Sequence, residues 1–514
     1  MITIQITETA FWDNQAEGYI FFMNEGLSNS SDLSNLSKIE REFYPHVKAL
    51  LKKHEFEGKK GQSFALTAMH KDKFIEFIFV GLGKGEKVWH VELEILRRAI
   101  GQTVHILKKK NITNAILAMP EETVYKIDRG QLLKQMVMTA YMAAYEFVAL
   151  KTSTKPKAWQ TSLLIEVRPD EAGIMSNACE HGTIIGNAIN KAREWADTPA
   201  NIMTPTALAE QAQKIADKHG FKCTVFGREK ALELGMGAFC SVDAGSDQDG
   251  KFVVLEHKAK SKDASTIALV GKGVMFDTGG ISLKPSNSMS GMKFDMSGAA
   301  CVLAVMDILG HIKTLDLNVI ALTPLVENMP SGKATRQDDV VVAMNGKTIE
   351  IKNTDAEGRL ILADALCYAE KFYSPDVMID VATLTGACSY ALGFFYSGLM
   401  TQDEHLQREL PELGQLTGDR IWPLPLDDDF KPANKSDVAD VSNSGSSAYK
   451  AGTIIGACFL SEFVKKARWA HIDIAGTADN VPDINYLGKT ASGAGIRLLT
   501  EYVMSFSELE NRKK

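Results

Sequence analysis

Two charged stretches hold the residues of this sequence whose types and spacing could do chemistry. The first, Val270–Ala300, reads VGKGVMFDTGGISLKPSNSMSGMKFDMSGAA and sets Lys272, Asp277, Lys284 and Asp295 among glycines and methionines. Lys272 stands between Gly271 and Gly273, so the backbone can come close to whatever the lysine touches. The second stretch, Asn353–Leu360, reads NTDAEGRL. Asp355 and Glu357 are two residues apart, which in an extended segment points both carboxylates the same way. Arg359 falls in the first turn of the apolar helix expected over Leu360–Tyr373. A cation there opposes the helix dipole unless an anion is held beside it.

If Asp277, Asp295, Asp355 and Glu357 converge, four carboxylates share one pocket. Close like charges cannot all stay ionised without compensation, and two divalent cations would supply it. Neither stretch contains a histidine, and the chain has no HExxH and no CxxC. An oxygen-rich pair of metals with bridging carboxylates therefore fits better than a histidine-based zinc site.

GKGVMFDTGGISLKP, MKFDMSGAA and NTDAEGRL, in that order, resemble the motifs of the leucyl aminopeptidase (cytosol aminopeptidase) family of two-metal peptidases. The likeness runs from about Ala192 to the C-terminus and includes AREWADTPANIMTP, Ser436–Asp440, Gly452–Val464 and WAHIDIAG; the first third is looser. Carried over residue by residue, the resemblance implies that Asp277 and Glu357 bridge two divalent ions, zinc or manganese. Asp355 would complete one, and Lys272 (as the neutral amine) with Asp295 the other. Lys284 would polarise the scissile carbonyl and stabilise the oxyanion. Arg359 would hold a bicarbonate that takes a proton from water and later returns it to the leaving amine. Met292, Thr383 and Gly386 would line an apolar side-chain pocket, with Leu384 offering backbone contacts. The methionines at 289, 292 and 296 could equally be core packing.

The implied activity is release of N-terminal residues, preferably leucine, methionine or other apolar ones, from short peptides with a free N-terminus. The implied assembly is a homohexamer. Two rivals stand beside this reading. A two-metal phosphoesterase would use the same carboxylates, and a DNA-binding regulator could be built on the same scaffold.

The elements that must position these residues read as α/β. Across 514 residues, two domains are the natural expectation. A smaller N-terminal α/β domain over 1–168, to which the resemblance gives a role in assembly, would be joined by a connecting helix over 169–195 to the catalytic domain over 196–514, with a mixed central sheet flanked by helices. N-terminal strands are expected at Met1–Ile6, Tyr19–Met23, Phe64–Ala68, Phe77–Gly81, Ala115–Ala118 and Ser162–Val167, with helices over Val91–Lys108 and Gly130–Leu150 and a surface loop at Thr152–Gln160. Later strands are expected at Cys223–Phe226, Phe252–His257, Thr266–Val270, Asn318–Leu322, Val377–Val381 and His471–Ile474. Asp339–Glu350 reads as a hairpin turning at Asn345-Gly346 and leading into Asn353. In open α/β sheets sites form at the carboxyl ends of strands, where the loops after Val270, before Asp355 and after Val381 would meet.

Gly81-Leu82-Gly83, Gly346-Lys347-Thr348 and Gly488-Lys489-Thr490 echo phosphate loops; the last two lack the glycine that a P-loop places five residues earlier. His471, alone on an apolar strand, reads as a core residue. A net charge of −7 gives no electrostatic footprint for nucleic acid or an anionic membrane. The start of the chain has no signal-peptide pattern, and no apolar run reaches membrane-span length. Seven cysteines without paired spacing indicate a reduced, cytoplasmic setting.

Overall fold

The computed structural model describes residues 2–26, 30–85, 88–120, 125–152, 159–446 and 448–511. Of the loop expected over Thr152–Gln160, residues 153–158 lie outside the described residues. The chain forms two compact units, Met1–Asn190 with Asp483–Gly488, and Lys191–Pro482 with Lys489–Lys514. Both are α/β.

The first unit holds strands β1 (Ile2–Thr7), β2 (Gly18–Asn24), β3 (Ser63–His70), β4 (Lys73–Gly83), β5 (Asn114–Ala118) and β6 (Thr161–Glu166). They form one sheet in the order β1-β6-β5-β2-β4-β3, parallel except for the β3–β4 hairpin. The helix Trp89–Lys109 follows expectation, but the next spans Arg129–Ala144 and stops six residues short of Leu150. Tyr145 is already extended, and the aromatic and branched residues that follow favour helix poorly. Gly81 has a structural reason: a Cβ there would overlap the backbone of Lys59 and Gly58.

The second unit contains β7 (Lys222–Phe226), β8 (Lys251–His257), β9 (Thr266–Gly271), β10 (Gly273–Asp277), β11 (Asn318–Asn328), β12 (Val340–Val342), β13 (Thr348–Glu350), β14 (Val377–Ala382), β15 (Ser397–Thr401), β16 (Ile421–Pro423), β17 (Val441–Ser442) and β18 (Arg468–Asp473). The main sheet runs β16-β15-β18-β14-β9-β11-β8-β7, with β10 also paired to β11. Its centre, β18-β14-β9-β11, is parallel, and β15 and β8 join it antiparallel.

The central strands are near-continuous apolar runs because both their faces are covered. Ala268 and Val270 on β9 join the core under the helix Gly358–Tyr373. Ile267 and Leu269, equally buried, point to the opposite face. The helix Ser297–Leu309 packs on β9 and β14. β12 and β13 form the expected hairpin, with Gly346 at φ 88° in its turn. A parallel pairing of β13 with β17 extends it.

Candidate metal and catalytic site

The site grows from the carboxyl ends of the central parallel strands. Lys272 directly follows β9, and its N–H donates to the Val381 carbonyl on β14 at 3.0 Å. Asp277 ends β10, opposite Asn328 at the end of β11. The loop that follows turns through Gly279 (φ 87°) and Gly280 (φ 63°), where a side chain would be strained. A Cβ on Gly279 would also stand 2.9 Å from Asp355 Oδ1, so the glycine lets the NTDAEGR segment approach. Thr354 stitches the two stretches together: its hydroxyl donates to Gly279 O at 2.6 Å and accepts from Ser282 N–H at 2.8 Å. Glu357 is the N-cap of the helix Gly358–Tyr373, and Arg359 lies in its first turn.

The four carboxylates do converge around two ammonium groups. Lys272, only 3% exposed, reaches Asp295 Oδ1 at 2.8 Å, Glu357 Oε1 at 2.9 Å and the Thr383 carbonyl at 2.8 Å. That is the full donor capacity of an ammonium. Lys284 bridges Asp277 Oδ2 at 2.8 Å and Asp355. Oxygens of Asp277, Asp355 and Glu357 lie within 4.8 Å of one another. Asp295 sits in the 3-10 turn Met292–Met296; its Oδ1 also accepts from the Thr383 hydroxyl at 2.7 Å, and its Oδ2 has no partner.

The electrostatics follow from this crowding. Burial pushes the carboxyls of Asp277, Asp295 and Asp355 above their usual range, and neighbouring carboxylates add to it. Burial alone would depress the pKa of Lys272, but Asp295, Glu357 and Asp277 outweigh it and hold it above its usual value. Lys284 is raised in the same way by Asp277 and Glu357 against its own burial. Four carboxylates against two ammonium groups leave roughly two negative charges uncompensated in a buried place. A cluster of hard oxygen donors, one of them orphaned, with excess negative charge, fits divalent ions.

Arg359 is 8% exposed. Its Nη1 donates to the Asn443 carbonyl at 2.8 Å, and its Nε has no partner. Burial pushes its pKa down, against the opposing pull of Glu357 and Asp473. An unused guanidinium donor at a helix N-terminus has the chemistry of an anion site. Thr383, Leu384 and Thr385 form the turn after β14, and Gly386 opens the helix Gly386–Leu392. Met292, partly buried, shares the turn of Asp295. Beside the cluster lies a cavity of about 640 Å³ lined by Asn201, Phe276, Met289, Lys293 and Glu327 among others.

Three further residues position the site, and none was singled out from the sequence. Asn443, fully buried, accepts from Lys352 and Asn353 N–H and donates to the carbonyls of Asn353 and Ala356. It clamps the NTDAEGR segment at its start and its middle. Asp473, also fully buried, accepts from the N–H of Leu384, Thr385 and Ala475 and from the Thr385 hydroxyl. Asn328 donates to Asp277 Oδ1 at 2.8 Å and to the Thr354 carbonyl at 3.0 Å. Asn443 sits in a polar run, VSNSGSS, that reads as an ordinary loop; only the WAHIDIAG motif around Asp473 offered a signal. His471 is a buried core residue, as expected, with Nδ1 2.5 Å from Asp380 Oδ1.

The model of the cytosol aminopeptidase family's catalytic domain matches residues 190–500, and that of its N-terminal domain matches 20–154. A protein of Nitrosospira multiformis named "Probable cytosol aminopeptidase" is 40% identical over 465 residues, covering 90% of this chain and 88% of that one. One of Nitrosococcus oceani with the same name is 39% identical over 484 residues, covering 93% and 94%. The solved structure of the bottromycin maturation enzyme BotP in complex with Mn is similar at a TM-score of 0.82 and 28% identity, covering 96% of this chain and 100% of that one.

Proposed function

This chain belongs to the cytosol aminopeptidase family and is an aminopeptidase, a hydrolase acting on peptides; on that premise we propose its mechanism, preference and assembly. The observation that carries the reading is the convergence of Asp277, Asp295, Asp355 and Glu357 around Lys272 and Lys284 at the carboxyl ends of parallel strands. Asp277, Asp355 and Glu357 would hold one divalent ion, and Asp277, Glu357, Asp295 and Lys272, the last as the neutral amine once an ion displaces its proton, a second; zinc or manganese suits the set. When bound, such ions lower the pKa of water and polarise the scissile carbonyl.

The chain's own groups do the rest. Lys284, freed from Asp277 and Asp355, turns its ammonium to the carbonyl oxygen as negative charge develops there. Arg359 would hold a small anion, bicarbonate, through its unused donor; when bound, such an anion would supply a proton acceptor for water and a donor for the leaving amine. Asn443 fixes the guanidinium through its carbonyl. Met292, Thr383, Leu384 and Gly386 receive the first side chain and favour leucine, methionine and other apolar residues. The cavity of about 640 Å³ beside Phe276 and Met289 is of a size to take the rest of a short peptide. The assembly is a homohexamer, to be read by sedimentation.

Protein purified without chelator should hold about two divalent ions per chain. Chelation should abolish hydrolysis of leucyl and methionyl amides, and added metal should restore it. N-acetylated amides should not be cut. Full activity in metal-free protein, or equal rates on acetylated and free amides, would sink the proposal.

A further inference from the structure

The helix Ser297–Leu309 begins beside Asp295 and, over 13 residues, reaches about 20 Å away from it. At that far end its C-terminus meets the C-terminus of the helix Pro205–His219. His219, Asp307 and His311 come together there, each offering a ligand atom within 4.8 Å of the others. His219 Nε2 lies 2.7 Å from Asp307 Oδ1, and the rings of His219 and His311 are 4.8 Å apart, edge to face.

The cluster is held in place. The His219 side chain is 5% exposed and packs on Phe221, with ring centroids 5.5 Å apart. Gly310 leaves room for it, because a Cβ at Gly310 would overlap the imidazole itself. Gly310 has an ordinary helical φ of −61°, so its missing side chain, not its backbone freedom, is what this spot uses. Two helix C-termini add partial negative charge beside the donors, which favours a cation.

We propose that His219, Asp307 and His311 form a second kind of metal site, binding one transition-metal ion of the zinc class as a clip between two helices. Two imidazoles and a carboxylate suit zinc, cobalt or nickel, unlike the oxygen-rich catalytic cluster, and leave room for water as a further ligand. Ligands of a tetrahedral zinc stand roughly 3.4 Å apart, so His219 and Asp307, now 2.7 Å apart, must part slightly to admit the ion. His311, exposed and just past the helix end, completes the set. Binding displaces Lys218, whose ammonium now contacts Asp307 Oδ1 at 2.8 Å from a half-exposed side chain. The ion takes no part in peptide cleavage; it ties together two helices that pack on the catalytic sheet.

The test is equilibrium dialysis of the intact enzyme against zinc, with metal content, unfolding midpoint and peptidase activity read together. Wild type should bind one zinc more than His311→Ala or Asp307→Asn, with activity the same in all three. Zinc affinity at this site should fall by more than the roughly 10–100-fold that loss of an outer partner costs. Saturating zinc should raise the wild-type midpoint and not that of the variants. Lys218→Ala supplies the opposite sign: by freeing Asp307 of its ammonium it should tighten zinc. Equal zinc content in wild type and His311→Ala would overturn the proposal. So would weaker binding in Lys218→Ala, which would make the cluster an ion pair only. Because the readout is a difference between variants with the same catalytic cluster, it stands whatever the ion count at that cluster proves to be.

Discussion

At the scale of single residues, the site sets two lysines among carboxylates for different ends, and substitution should separate them. Glu357→Gln should lose bound metal and activity together, because the residue is a ligand in our reading. Lys284→Met should keep about two ions and lose turnover, by the order of 10²–10³-fold that an oxyanion donor contributes. Metal analysis beside kcat decides it, and loss of metal in Lys284→Met would contradict the assignment. Arg359→Ala should lower kcat by about 10²–10⁴-fold with metal content unchanged. Bicarbonate added to degassed buffer should stimulate wild type and leave that variant nearly unmoved; equal stimulation would place the anion elsewhere. The residues named from the sequence were legible because charge is costly to bury, so charged side chains among glycines and apolar strands stand out. Asn443 and Asp473 were not, because they act on backbone groups, and a hydrogen bond to a peptide leaves no pattern in side-chain spacing.

At the scale of elements, the helix Gly358–Tyr373 carries a buried acid at its centre. Asp364 is fully buried and accepts from the N–H of Phe239 and Met344, each at 2.8 Å, so it pins a short helix and the β12–β13 hairpin to the sheet's core. Burial raises its pKa to about 7, only partly offset by those backbone donors. A carboxyl raised in the folded state holds its proton more tightly there than in the unfolded chain. Its contribution is complete below its ordinary value of 3.8 and disappears as pH climbs through about 7. The span is worth up to about 4 kcal/mol at roughly 1.4 kcal/mol per unit. Unfolding midpoints should therefore fall between about pH 4 and 7 more steeply in wild type than in Asp364→Asn; identical slopes would mean that Asp364 is ionised in the fold. Sequence periodicity found the central strands, whose apolar runs are long. It passed over β16 and β17, because strands of two or three residues are too short to show a period. It also carried the helix after Arg129 too far, since apolar residues at 147–150 continue the pattern without continuing the helix.

At the scale of the whole molecule, the α/β class, the two-part organisation and the absence, among the described residues, of any helix long and apolar enough to cross a membrane all accord with composition and length. What composition could not give is the order of strands, because pairing joins parts of the chain far apart in sequence. β14 lies between β9 and β18, so the turn bearing Thr383 and Leu384 is flanked by segments more than 80 residues away on either side. That order has a consequence for when the enzyme comes alive. The ligand-bearing loops are synthesised before Asp473, which lies on β18 and fixes the turn after β14. Domains fold as their chain emerges, and distant pairings must wait for the later partner. A nascent chain stopped at Lys466, before β18, should therefore show no peptidase activity, and a release assay on such stalled chains would contradict this if product appeared. The turn that carries Thr383 and Leu384 would then gain its anchor only once β18 has joined the sheet beside β14.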